Sequence, residues 1–192
     1  MPYAVQYIST CDAPGLAEAM MSAWWQDEHW KVLWAKSNMS LEQIISDCNS
    51  GEIVAYSRYI LPDTQTEIWP EAQISETNSE ELAEYERKFK SVTDNGRIRG
   101  MDYAFASEFG NPLAEVEEKI LKDSGSCFAV DYMTTHPAHQ HHGVASMMLN
   151  QALRVVDEAG LKSIVMASPA GQRLYEEYGF QFVRTLVQDD SR

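Results

Sequence analysis

The segment Gln140-His141-His142-Gly143-Val144-Ala145 has residue types suited to holding an anion. It follows an apolar run, Phe128 to Thr135, that reads as a buried strand. It leads into Ser146 to Ala159, a helix whose apolar residues Val144, Met147, Met148, Ala152, Val155, Val156 and Ala159 recur at helical spacing. A strand, a tight loop with a glycine and a helix start leave several backbone N–H groups unpaired. Those donors, with the positive end of the helix dipole, favour a negative charge. Gly143 lets the backbone approach a ligand where a Cβ would clash. On the loop alone, an ordinary strand-to-helix turn is an equal reading.

A second element weighs against that plainer reading. Downstream come the strand-like Ser163-Ile164-Val165-Met166-Ala167-Ser168 and then Leu174-Tyr175-Glu176-Glu177-Tyr178-Gly179-Phe180. The combination resembles the GNAT superfamily of acetyl-CoA-dependent N-acetyltransferases. In that family a Gln/Arg-x-x-Gly-x-Gly/Ala loop holds the CoA pyrophosphate. A later Leu-Tyr-x-x-x-Gly-Phe segment brings a tyrosine near the CoA sulfur. The resemblance is closest over Phe128 to Val183. It implies an α/β fold with a mixed, mostly antiparallel central sheet, a parallel pair at its splayed centre and flanking helices. Residues 1–192 are then a single domain, with a helical insertion over 62–125 and an acetyl-CoA-binding core over 128–183. The implied reaction moves an acetyl group directly from CoA to an amine acceptor, expected to be a small molecule.

The resemblance also implies roles. Met133, Thr134 and Thr135 pair with the pantetheine arm as a strand would, and N–H groups near Met133 polarise the thioester carbonyl. Gln140, His141, His142, Gly143, Val144 and Ala145 take the pyrophosphate, and Ser146 adds a hydroxyl. His141 and His142 stand where many relatives carry arginine or lysine, and an ordinary histidine titrates near neutrality. Ser168 stands where the family often has a CoA-binding asparagine, and Gly171 where a small residue is usual. Tyr175 is the expected general acid for the departing thiolate, since a phenol stays protonated at working pH and can donate. Asp131 lies on the strand that carries the base in several relatives. Period-two alternation would place it on one face with Ala129, Met133 and Thr135. A carboxylate there is costly unless paired, so a structural Asp bonded to nearby backbone is the competing reading. Glu28 and a water chain are more remote bases.

Direct transfer needs no covalent nucleophile, so the lack of a Ser-His-Asp or Cys-His pattern is no objection. Two other functions stay open. The fold could bind CoA without chemistry, as a regulatory module. Alternatively His136, His139, His141 and His142 could hold a metal, although near neighbours on one loop converge poorly on one ion. No metal is expected.

Composition bounds these readings. The formal charge of −14 argues against nucleic-acid binding and would steer a cationic amine inward, though plain solubility also explains it. No apolar run approaches the roughly 20 residues that span a bilayer. Met1-Pro2-Tyr3-Ala4-Val5 carries no secretion-signal pattern. Three scattered cysteines, Cys11, Cys48 and Cys127, fit a reducing cytoplasmic setting.

The positioning elements follow in order. Tyr3 to Ser9 alternates as a first strand. Asp12 and Pro14 open a helix with Leu16, Ala19, Met20, Ala23 and Trp24 on one face. Trp24, Trp25, Trp30 and Trp34 form either an acceptor wall or core. Ser40-Leu41-Glu42-Gln43 resembles a capping box that would start a helix, whereas Gln43 to Cys48, Asn49-Ser50-Gly51 and Glu52 to Leu61 read as a hairpin, which the resemblance also implies. Within the insertion, Thr77-Asn78-Ser79-Glu80 caps a helix bearing Leu82, Tyr85, Phe89 and Val92. Asn95-Gly96 is a turn, and Asn111-Pro112 starts another helix bearing Leu113, Val116, Ile120 and Leu121. Glu67 to Asp123 holds 14 acidic and 7 basic residues, as a solvated insertion or a lid over the acceptor. Ser163 to Ser168 should be a parallel strand, Pro169 a helix start and Phe180 to Val187 a last strand. The family usually has one strand more, so the far sheet edge would be open or completed by another subunit.

Overall fold

A computed structural model describes residues 4–5, 13–26, 53–62, 67–69, 79–98 and 100–187. Apart from Ala4 and Val5, the expected first strand lies outside them. So do Asp12, Glu28, Trp30, Trp34, the first arm and turn of the expected hairpin, and Thr77 and Asn78. The side chains of Leu82, Tyr85 and Val92 lie outside as well.

The elements in chain order are α1 (Ala13–Trp24), β1 (Ala55–Ile60), α2 (Ser79–Val92), β2 (Thr93–Asp94) and β3 (Arg97–Ile98). They continue with α3 (Tyr103–Ser124), β4 (Cys127–Thr135), α4 (Val144–Glu158), β5 (Lys162–Val165) and α5 (Pro169–Glu177). β1, β4 and β5 form one sheet in that order, and β2 and β3 a small hairpin.

β4 is central because its first half is apolar enough to be covered on both faces. Cys127, Phe128, Ala129 and Val130 are all buried. Such a run suits a strand flanked by a parallel neighbour, where helices cover the sheet. β4 runs parallel to β5 from Cys127↔Lys162 to Val130↔Val165. On its other side it runs antiparallel to β1, from Ile60↔Ala129 to Ala55↔Thr135. The register slips between Arg58↔Tyr132 and Tyr59↔Val130, so Asp131 bulges with no residue opposite it. A bulge bends its strand and re-aims the side chains around it.

This bulge corrects the expected alternation. Met133 packs against the cluster that contains Phe128 and Val130, three residues past Val130 rather than two. Met133 therefore leaves the period-two face that the sequence assigned to it with Asp131.

α4 lies against β1, β4 and β5. Its buried residues Val144, Met148, Leu149, Ala152 and Val156 are spaced to form one stripe. Of these, Leu149, Ala152 and Val156 join Phe128, Val130, Trp69 and Tyr175 in the core. Phe128, Leu149 and Val156 are its largest fully buried side chains. Each contributes about 1.5–3 kcal/mol of apolar burial. Tyr59 stacks between Phe128, at 5.1 Å, and Trp69, at 5.9 Å, and its hydroxyl donates to the Met148 carbonyl at 3.2 Å. α1 covers β1 and β4, with Ala19 fully buried.

In the insertion, Asn95 and Gly96 take left-handed φ values of 52° and 78° and turn β2 into β3. Two positive φ values at adjacent residues match the twist of a tight hairpin. The helix expected to begin at Asn111-Pro112 begins instead at Tyr103. The Asp102 carboxylate caps it, accepting from the Phe105 N–H at 3.2 Å. Phe105 is buried, which anchors this early start. Pro112 lies inside the helix, on an exposed stretch where a displaced carbonyl can meet water.

The last expected strand does not form. Residues 180–187 make no sheet pairing among the described residues, and Phe182, Val183 and Val187 are 66%, 85% and 89% exposed. Apolar alternation marks a segment able to pair, but a strand also needs a neighbour for its backbone groups. β5 ends at Val165 after four residues and offers little length to pair with.

Candidate functional site

The site is organised by the parting of two strands. β5 leaves β4 after Val130↔Val165, whereas β1 follows β4 as far as Thr135. From Asp131 to Thr135, β4 thus has a side that β5 does not pair. This opening leads into the loop before α4.

Several contacts shape that loop. The His136 N–H donates to the Val54 carbonyl at 2.7 Å and continues the β1 side by one residue. A single helical turn, Pro137–His139, follows, with His136 Nδ1 accepting from the Ala138 N–H at 3.2 Å. Gln140 Nε2 donates back to the Thr135 carbonyl at 3.2 Å, tying the loop to the strand end. His141 and Gly143 take φ values of 60° and 78°. Left-handed backbone is unusual at a histidine and easy for a glycine.

Gly143 is the N-cap of α4 and no side chain caps it. The first intrahelical donor is Met147, whose N–H reaches the Gly143 carbonyl at 3.0 Å. The N–H groups of Val144, Ala145 and Ser146 precede it and have no partner within the helix. Val144 is buried and seats the helix, whereas Gln140, His141, His142 and Gly143 are exposed. Behind the loop, Thr135 Oγ1 is buried without a hydrogen-bond partner.

Tyr175 is 8% exposed and belongs to the same cluster as Phe128 and Val130, with Met133 packed against it. Burial pushes its phenol up from the ordinary value. Phe180 meets its ring edge-on at 5.6 Å. Ser168 is the N-cap of α5, and its carbonyl accepts from the N–H groups of Gly171 and Gln172. The Ser168 side chain is exposed. Tyr178 ties α5 to α4, its hydroxyl donating to the Ser146 carbonyl at 3.1 Å.

Asp131 belongs to a different group. Arg58 Nε donates to Asp131 Oδ2 in an ion pair. The Arg58 guanidinium also lies over the ring of Tyr132, 4.5 Å from its centroid. Trp24 of α1 meets the same ring at 5.6 Å. Nearby Tyr56 is pushed up, chiefly by burial. Glu117 of α3 is half-buried and is pushed up by burial and then by the like charge of Asp131.

The structure thus unites Gln140 with Thr135 and Ser168 with Gly171, and sets Met133 against the cluster that contains Tyr175. It places Asp131 with Arg58 and Tyr132. Sequence reading missed Arg58, Tyr56 and Glu117. No local signal could have shown that a strand register sets Arg58 beside the bulge, or that Glu117 of α3 comes within electrostatic reach of Asp131. Among the histidines, His136 and His139 stand edge to face at 5.8 Å. Among the described residues, no group of three or more His, Cys, Asp or Glu side chains could hold a metal ion.

A mixed sheet that opens beside its parallel pair, and delivers a glycine loop to an uncapped helix start, defines an α/β protein. The model of the acetyltransferase (GNAT) family matches residues 58–180, more than half of the chain, and the protein belongs to that family. No curated protein matches the chain. Among the described residues, no helix is long and apolar enough to cross a membrane.

Proposed function

We propose that the protein transfers an acetyl group from acetyl-CoA directly to an amine acceptor, a small molecule. The observation that carries this is the parting of β4 from β5 after Val130↔Val165, which opens onto the uncapped start of α4. The residues fit the cosubstrate. An unpaired strand side suits the amides of the pantetheine arm. The unpaired N–H groups behind Gly143 suit its pyrophosphate. The buried, unpartnered Thr135 hydroxyl is a further polar atom for that arm.

In this reading Met133, Thr134 and Thr135 hold the arm, and Gln140 to Ser146 hold the phosphates. Ser168 and Gly171 shape the wall beside Tyr175. The acceptor nitrogen attacks the thioester carbonyl carbon, the carbon–sulfur bond breaks, and the sulfur takes a proton from the Tyr175 hydroxyl. The acceptor ammonium gives one proton to Asp131 before it attacks, with Glu117 the second carboxylate within electrostatic reach, and the second proton leaves the nitrogen to solvent as the amide forms. Solvent returns the proton to Tyr175.

The commitment of Asp131 to Arg58 favours a second reading, a CoA-binding module without turnover. Thiol release from acetyl-CoA across an amine library separates the two. Release with at least one amine supports transfer. Tight CoA binding with no release from any amine supports the module.

We further propose one domain acting in the cytoplasm, where a free buried Cys127 is at home. The short β5 and the exposed Phe182, Val183 and Val187 favour a homodimer in which a second copy completes the sheet edge. Light scattering of wild type and Val183→Lys tests this, and a monomeric wild type would rule it out.

A further inference from the structure

We propose that Arg58 is the receptor for a carboxylate on the acceptor, so that the substrate is an amine bearing a carboxyl group, such as an amino acid. This deepens the acetyl-transfer reading and rests on it.

The argument begins with the two contacts that fix Arg58. Across the β1–β4 ladder its Cα partner is Tyr132, so the two side chains share a face. Tyr132 supports the guanidinium from below at 4.5 Å. Asp131, at the bulge, takes the Nε edge. Trp24 braces Tyr132 from α1. Ring and carboxylate occupy one face and one edge of a planar group that carries five N–H donors. The Arg58 side chain is 55% exposed while that of Asp131 is 16% exposed, so the guanidinium is open to solvent beside these two contacts and the nearby Tyr56 phenol.

Stability alone is a weak reason for such an arrangement. An exposed ion pair contributes about 0–1 kcal/mol, and fixing a long side chain costs up to about 2 kcal/mol of rotamer entropy. What the two contacts achieve is a guanidinium already ordered before any ligand arrives, which removes that cost from binding. A guanidinium edge matches a carboxylate with two parallel hydrogen bonds.

Position adds the link to the reaction. Tyr132 adjoins Met133, whose N–H region is the proposed place of the thioester carbonyl. Consecutive Cα atoms are about 3.8 Å apart. An anionic group held at Arg58 would therefore sit beside the strand residue that precedes Met133, on the face of β4 that Arg58 shares with Tyr132. The net charge of −14 does not override this. Exposed charges beyond about 8 Å are largely screened at physiological ionic strength, whereas a paired guanidinium acts at contact. Asp131 is in this respect a positioning residue.

The test is a matched acceptor series: an amino acid, its carboxamide, the amine lacking the carboxyl, and the aminophosphonate. Thiol release from acetyl-CoA is followed for each. The amino acid should exceed the carboxamide and the bare amine in kcat/KM on the order of 10²-fold, mostly through KM. Arg58→Gln should reduce that preference to within about threefold, and Arg58→Lys should leave an intermediate one. Asp131→Asn should raise KM for the amino acid more than for the bare amine. Equal rates for the series, a preference for the phosphonate, or a preference that survives Arg58→Gln would overturn the proposal. If no acceptor releases thiol, the acetyl-transfer reading fails, and calorimetry on the CoA-loaded protein still decides. Saturable heat from the amino acid that Arg58→Gln abolishes supports the carboxylate site, and no heat with wild type overturns it.

Discussion

A Cβ added to Gly171 would stand 3.3 Å from Cε2 of Tyr175 and 3.7 Å from Oγ of Ser168. The first distance is tighter than ordinary contact, and the ring it meets is nearly buried. A side chain at this position therefore fits only if the Tyr175 ring gives by a few tenths of an ångström, whatever the ligand does. Gly171→Ala should press the ring from its place and destabilise the protein by about 1–3 kcal/mol, seen as a lowered Tm. A variant as stable as wild type would mean that the ring shifts without cost.

Tyr175→Phe keeps the packing against Phe180 and removes one hydroxyl. If that hydroxyl protonates the leaving sulfur, kcat should fall on the order of 10²-fold with acetyl-CoA affinity nearly unchanged. Turnover within about twofold of wild type would return Tyr175 to a purely structural role.

Gly143 has φ of 78° at the N-cap of α4. Gly143→Val strains that backbone and adds a branched side chain at the helix start, beside N–H groups that have no partner within the helix. Acetyl-CoA affinity should drop more than tenfold, at least about 1.4 kcal/mol by calorimetry. An unchanged dissociation constant in a folded variant would remove the phosphate-loop assignment.

The alkaline limit of stability should involve Tyr59. Burial, as the leading cause, pushes its phenol up to about 12. A pKa raised by folding means that the folded state holds its proton while the unfolded chain loses it. The contribution is complete below about pH 10, the unfolded value, and is lost as pH climbs from there towards 12. Chemical denaturation from pH 9 to 11 should show a steep loss for wild type and a shallower one for Tyr59→Phe. Parallel curves would mean that this phenol titrates alike in both states.

Glu117 gives a test at neutral pH. Burial, with the charge of Asp131 second, raises its pKa, so the folded state disfavours the carboxylate. Its stability term is complete below the unfolded pKa and lost as pH rises through the folded one. Glu117→Gln should therefore raise Tm at pH 7, with the gain fading in acid. Asp131→Asn should shrink that gain by removing the like charge. A Tm lowered at pH 7 would show that the Glu117 carboxylate makes a favourable contact. Comparing the acidic limbs of the pH–rate profiles of the two variants also identifies which carboxylate takes the amine's proton.

The sequence by itself determined the parts that depend on neighbours along the chain. The strand–loop–helix from Phe128 to Ala159 was legible because apolar spacing and one glycine set both period and punctuation. The parallel strand at Ser163, the helix at Pro169 and the Asn95-Gly96 turn followed from equally local rules, and the family resemblance rested on the same segments. Tertiary structure decided what depends on residues meeting from afar. Asp102 and buried Phe105 began a helix well before Pro112, overriding a local breaker. Phe180 to Val187 pairs with no strand among the described residues, because alternation marks a segment able to pair but does not supply its neighbour. The bulge at Asp131 arose from the register between β1 and β4, and it moved Met133 to the core face. That same register set Arg58 against Asp131 and Tyr132. Side-chain identity limits what each residue can do, but cross-strand register, which is a property of the pair, decides which residues act together.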